Sequence, residues 1–235
     1  MRAMHIYDAV TSRKSVRAYT DQPVPREVLE RVLDTARRAP SGGNLQPWHA
    51  AVLTGDALTA IRAAAADRLA GLTTGPAPEY PMYPEKLWSP YRERRFRNGE
   101  QLYESVGVTR EDKAGRVRQF STNWDLFGAP VGMFVFVDRG MNHPQWSDLG
   151  MWLQTVMLLL RGEGLDSCPQ EAWSVHHDVV TNVVKIPDNL MLFCGMAIGY
   201  GDTNAPVNTL VTERAPLEEV VTFLDAPGAL TTRVD

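Results

Sequence analysis

Ser12, Arg13, Lys14, Ser15 and Arg17 bring three cations and two hydroxyls into six residues near the N-terminus. Guanidinium forks grip a phosphate through paired N–H donors, and a serine hydroxyl adds a neutral donor, so this composition suits a terminal phosphate group. The same residues also suit a solvated helix end whose cations meet the negative pole of its dipole. A second group follows in Ala39, Pro40, Ser41, Gly42, Gly43, Asn44, Leu45, Gln46, Pro47 and Trp48. Its glycines let main chain approach a ligand closely, and the amides of Asn44 and Gln46 match the donor and acceptor edge of a heterocycle. An ordinary helix stop with Trp48 in the core would use the same residues.

Other chemistries lack their patterns. His176 and His177 are adjacent and cannot form the paired face that i, i+4 histidines offer zinc, and no metal site is expected. Gly195, Gly199 and Gly201 make neither a dinucleotide fingerprint nor a Walker loop, and no G-x-S-x-G nucleophile elbow occurs. Cys168 reads as a small buried thiol. Arg92, Arg94, Arg95 and Arg97 form a basic cluster that suits a solvated face or an anionic ligand.

The elements that must position these groups follow from periodicity. Val28, Leu29, Val32, Leu33 and Ala36 predict an amphipathic helix over 25–38, stopped by the breaker cluster at 39–44. A short strand is expected over 48–54, so the second group sits on a helix-to-strand loop. An alanine-rich helix is expected over 56–72. Pro76, Pro78, Pro81, Pro84 and Pro90 then make a loop or lid, and dense charge over 91–124 suggests exposed helices around Gly107. The apolar runs 131–137 and 190–198 read as buried strands, and 146–163 as a helix buried on several sides. A short segment at 166–169, a helix over 174–184 and a short helix at 217–221 complete the chain. Without regular βαβ alternation, the fold class is α+β.

At 235 residues, 44% hydrophobic and 22% charged, the chain has the composition of a water-soluble globular protein, expected as a single domain over 1–235 with an inserted region at about 73–120. The net charge of −4 supplies no global field for nucleic acid or an anionic membrane, so neither partner is expected. Two cysteines are too few for a disulfide framework, and no apolar stretch approaches the roughly 18 residues of a membrane span. A cytoplasmic location is the expectation.

Taken in order, these segments resemble the signature of the nitroreductase-like FMN-dependent oxidoreductases. That pattern comprises a basic R-x-S-x-R box (Arg13, Ser15, Arg17), a V-P-x-x-x-L helix (Val24, Pro25, Leu29) and an A-P-S-x-x-N-x-Q-P-W loop (Ala39, Pro40, Ser41, Asn44, Gln46, Pro47, Trp48). Downstream, 164–172, 195–202 and 214–219 resemble the segment at the flavin's reactive edge, a strand end G-x-x-x-G-Y-x-D and an arginine box. The resemblance implies a central, mostly antiparallel sheet flanked by helices in an intertwined homodimer, with FMN between the subunits. It places Arg13, Ser15 and Arg214 at the phosphate, with Lys14 in the same box. Arg17 falls at flavin N1 and the C2 carbonyl, where a cation stabilises the reduced ring. Pro40, Ser41, Gly42 and Asn44 reach the flavin from the loop. Pro169, Gln170, Glu171 and the Ala172 main-chain N–H lie near N5. Asn123, which precedes the strand entry at Ala129, suits either the flavin's pyrimidine edge or the capping of a loop.

The implied activity is a ping-pong cycle in which NADH or NADPH gives hydride to flavin N5 and a small-molecule acceptor, such as a nitroaromatic or quinone, then takes it. No side chain is required as acid or nucleophile. A reductive dehalogenase, a flavin-fragmenting relative and a non-catalytic FMN carrier or sensor are the alternatives; Ser15 counts against flavin fragmentation, whose members tend to carry Asp there.

Overall fold

The computed structural model describes residues 4–70 and 75–230. The expected end of one helix at Leu72 and the expected start of the insertion at Thr73 lie outside the described residues. Four strands, β1 (His49–Leu53), β2 (Val131–Asp138), β3 (Asp166–Gln170) and β4 (Leu190–Gly199), form one antiparallel sheet in the order β1-β2-β4-β3. Seven of the eight residues of β2 are buried, as an apolar run covered on both faces requires.

One face of the sheet packs on α2 (Arg26–Ala36) and α6 (His143–Gly162), burying Leu29, Val32, Leu149, Trp152, Val156 and Leu160 against Met133, Val135 and Met196. The opposite face packs on α3 (Gly55–Ala70) and α7 (His177–Val184), with Ile61, Leu126, Phe134, Trp173, Val180 and Leu192 at its centre. The architecture is the expected α+β. Helix α6 starts before the predicted position because Asn142 and Gln145 form a capping box with Pro144 in the first turn.

Two sequence expectations change. The short segment at 166–169 is the edge strand β3, in which Pro169 pairs in register with Met196; a proline is tolerated there because an edge strand leaves alternate N–H groups without a ladder partner. The helix expected over 174–184 is divided into a 3-10 turn, Glu171–His176, and α7. The charged region holds α4 (Tyr91–Ser105) and α5 (Lys113–Ser121) on either side of Gly107, whose φ of +68° needs glycine. A first helix, α1 (Ile6–Ser12), precedes the basic box, and α8 (Leu217–Val220) lies in the C-terminal segment.

Candidate functional site

The basic box leaves α1 as extended chain beside the end of the sheet. Ser15 bridges Ser167 of β3, the Val16 N–H donates to the Ser167 carbonyl at 3.3 Å, and Tyr19 bridges Gly201. Extended chain alternates its side chains, and here the alternation sorts the cations. Val16 is buried and Lys14 donates from Nζ to the Asn208 carbonyl, whereas Ser15 and Arg17 line a cavity of about 580 Å³. Lys14, expected among the cofactor-binding residues of the box, makes its hydrogen bond to the protein's own main chain.

Asn208 gave no signal in the sequence, since it lies in a tail that reads as loop. It is buried in the turn Pro206–Thr209 and fixes the box by its side chain. Its Oδ1 accepts from the Arg17 N–H at 2.8 Å, and its Nδ2 donates to the Ala18 and Asp202 carbonyls at 2.8 Å each. The chain then runs to Arg214, whose Nη1 donates to Thr212 Oγ1 at 2.6 Å and which lines the same cavity as Ser15 and Arg17. Burial, and secondarily the neighbouring Arg214 charge, lower the pKa of Arg13. Arg17 and Arg214, from opposite ends of the chain, thus line one cavity, and Arg13 has no carboxylate partner among the described residues.

The second group is held elsewhere, on α6. The Gly42 N–H donates to both carboxylate oxygens of the buried Asp148, at 3.3 and 3.2 Å, and Trp48 stacks on Trp152 with centroids 6.1 Å apart. Asp148 is another residue the sequence did not single out. Ser41 Oγ accepts from the Gln46 N–H at 3.0 Å, and Gln46 Nε2 donates to the Asn44 carbonyl at 3.1 Å. Gly43, Asn44 and Gln46 have φ of +57°, +57° and +51°; the left-handed conformation is costly for the last two and survives because these contacts over-determine the loop. Pro40, Ser41, Gly42 and Asn44 are thus a rigid unit following α2.

At the C-terminal end of β3 the sequence-predicted residues come together. Gln170 is buried, and its Nε2 donates to the Asn123 carbonyl at 2.8 Å and to Asn123 Oδ1 at 3.2 Å. Asn123 sits in the turn Thr122–Gly128, which Arg62 of α3 secures by donating from Nη2 to the Ala129 carbonyl at 2.7 Å. Glu171 accepts a hydrogen bond from Tyr83 of the proline-rich segment, and the Arg95 guanidinium lies 4.3 Å from the centre of the Tyr83 ring. Burial and the Glu171 carboxylate raise the Tyr83 pKa. Tyr83 was not predicted, because nothing local marks a tyrosine in a proline-rich loop.

Behind this edge, Trp173 is fully buried and lies so close to β4 that a Cβ on Gly195 would come within 2.5 Å of it. Glycine is needed there for the turn to approach the strand. Burial pushes the Cys194 thiol up to about 12 and also raises that of Cys168, so both behave as inert core residues.

Two observations test whether FMN fits these residues. Ser15, Arg17 and Arg214, lining one cavity, suit a dianionic ester. The buried Gln170 Oε1 has no hydrogen-bond partner, and a ring N–H is a donor of the kind it lacks. The residues present fit the group.

Comparison with known proteins agrees with this chemistry. The model of the nitroreductase family matches residues 10–200. The chain is 37% identical over 219 residues to a chloronitrobenzene nitroreductase of Comamonas testosteroni, covering 93% of this chain and 96% of that one. Among solved structures it is similar to the FMN and NADPH-dependent nitroreductase NfnB of sphigopyxis sp. strain HMH, with a TM-score of 0.92 and 48% identity over 95% of this chain and all of that one. A further likeness is to the FMN-dependent nitroreductase NfnB of Mycobacterium smegmatis in complex with NADPH, with a TM-score of 0.87 and 30% identity, covering 93% and 97% of the two chains.

Proposed function

The chain belongs to the nitroreductase family, and on that premise we propose that it is an FMN-dependent oxidoreductase that uses NADPH or NADH to reduce nitroaromatic or quinone-type acceptors. When bound, FMN supplies the centre that takes hydride from the nicotinamide and passes it to the acceptor in a ping-pong cycle. The observation that carries this reading is that Ser15 and Arg17 of the basic box line one cavity with Arg214 from the far end of the chain, with Arg13 free of any carboxylate partner among the described residues.

In this reading Arg13, Ser15 and Arg214 hold the phosphate. Arg17, beside them at the cavity, presents a fixed positive charge to the pyrimidine side of the ring and so favours uptake of negative charge there. Gln170 and Asn123 orient the ring by hydrogen bonds, and Pro169, Glu171 and Ala172 border the edge where hydride arrives. Relatives named as acting on nitrobenzene derivatives and nitrobenzoate support the acceptor class.

The fixed loop bearing Pro40, Ser41, Gly42 and Asn44 is anchored on α6, apart from the basic box, which favours a homodimer in which the loop of one protomer completes the site of the other. Exposed Ile6, Tyr7 and Val10 on α1, with Leu45 beside the loop and Phe223 and Leu224 near the C-terminus, offer apolar surface for that contact. We assign the chain to one domain over 1–235, with about 73–120 inserted, and to the cytoplasm, in keeping with two buried free cysteines. Among the described residues no helix is long and apolar enough to cross a membrane.

Anaerobic mixing of the FMN-loaded protein with NADPH tests the proposal. The yellow colour should bleach and return when a nitroarene is added. Colour that persists in excess NADPH and NADH would identify a carrier, and failure to take up FMN would overturn the reading altogether.

A further inference from the structure

Helix α4 and the arm that carries Arg214 meet through paired charges. Arg97 Nη1 contacts Glu213 Oε2 at 2.8 Å, Gln101 Nε2 donates to Glu213 Oε1 at 3.4 Å, and Arg94 Nη2 contacts Glu219 Oε2 at 2.7 Å. The two glutamates flank Arg214 in sequence, one adjacent and one five residues on. Apolar packing does little to hold this arm, since Val211, Leu217 and Val220 are all exposed. All of the charged residues named here line the same cavity as Ser15 and Arg17.

We propose that α4 is the positioning element for the phosphate end of the flavin site, with Arg94 and Arg97 holding Glu219 and Glu213 so that the arm presents Arg214 to the cavity that Ser15 and Arg17 line. The inserted region then has a role beyond covering the site, because its helix sets the geometry of a ligand-binding arginine on a distant stretch of chain. Each pair is solvent-accessible and weak alone. Together with Gln101 the two pairs fix the arm on both sides of Arg214, which limits the freedom it would otherwise lose on binding.

The inference rests on the flavin reading, and one experiment separates the two. Flavin fluorescence titrations of the full chain are made with FMN and with riboflavin, which lacks the phosphate. Native protein should bind FMN more tightly, and Arg214→Gln should remove part of that preference.

The deciding variant is Glu213→Gln combined with Glu219→Gln. A simple field effect predicts tighter FMN binding, because two negative charges leave the neighbourhood of a phosphate. The clamp predicts FMN binding weaker by about three- to tenfold, the scale expected of two exposed ion pairs acting together, with riboflavin binding unchanged. If native protein does not distinguish FMN from riboflavin, the phosphate reading fails. If it does, and Arg214→Gln weakens the distinction while the double variant binds FMN equally well or better, or loses both ligands equally, the clamp is overturned and the flavin reading stands.

Discussion

The two central strands and the α4–α5 segment are built on different physics. Seven of eight residues in β2 are buried, and Trp173, Met196 and Leu192 around it have almost no exposed surface. No residue of α4 is buried. That segment is tied down by charge and by cations on aromatic faces. Arg116 is bidentate to Glu100 at 2.7 and 3.0 Å and lies over Tyr103, Arg110 lies over Phe96, and Arg95 over Tyr83. Apolar burial is worth about 25 cal/mol per Å² and is insensitive to modest salt, whereas exposed ion pairs are weak and screened. The sheet is therefore the rigid platform, and the segment over it is the part that conditions and composition can adjust.

The comparison is tested hardest at Trp173. Truncation to alanine should cost about 3–5 kcal/mol in urea unfolding, since it empties a fully buried volume against Gly195. A loss below 1 kcal/mol would mean that the turn after β3 is not part of the platform. Arg116→Gln should leave the global urea midpoint nearly unchanged yet increase amide hydrogen exchange within 91–121, and added salt should bring native protein toward the variant. Equal changes in exchange across the sheet would erase the proposed difference between the two regions.

A smaller effect is expected with pH. Burial, and then the neighbouring Arg68 charge, lower the pKa of His176 below its ordinary 6.5. The folded state therefore binds the proton less readily than the unfolded chain. Its stabilising contribution is complete above pH 6.5 and is lost as pH falls through the lowered value. His176→Phe, which keeps an aromatic ring against Trp124, should flatten this part of the stability profile. An unchanged slope in thermal unfolding measured across that window would remove His176 from the account.

Much of the site was legible because its chemistry is local. Arg13, Ser15 and Arg17 stand at alternate positions, and Ser41 and Asn44 share a tight loop, so composition and spacing mark them as candidates, and the family resemblance supplies the roles assigned to them. Asp148 and Asn208 could not be found that way. Each is an ordinary polar residue in sequence, and its importance comes from main-chain donors and acceptors supplied by segments far away in the chain. The strand β3 was hidden by Pro169, which lowers strand propensity and is accommodated only because the sheet places this strand at an edge.

The sequence by itself determined the α+β class, the two buried strands, the helices with a clear apolar face and the cations suited to a phosphate, because periodicity and residue chemistry are short-range properties. Tertiary structure decided which cations face the cavity, turning Lys14 toward Asn208 while bringing Arg17 and Arg214 to one cavity. It also decided that α4 meets the arm around Arg214. Those outcomes depend on the energy of contacts between distant segments, and no window of neighbouring residues contains that energy.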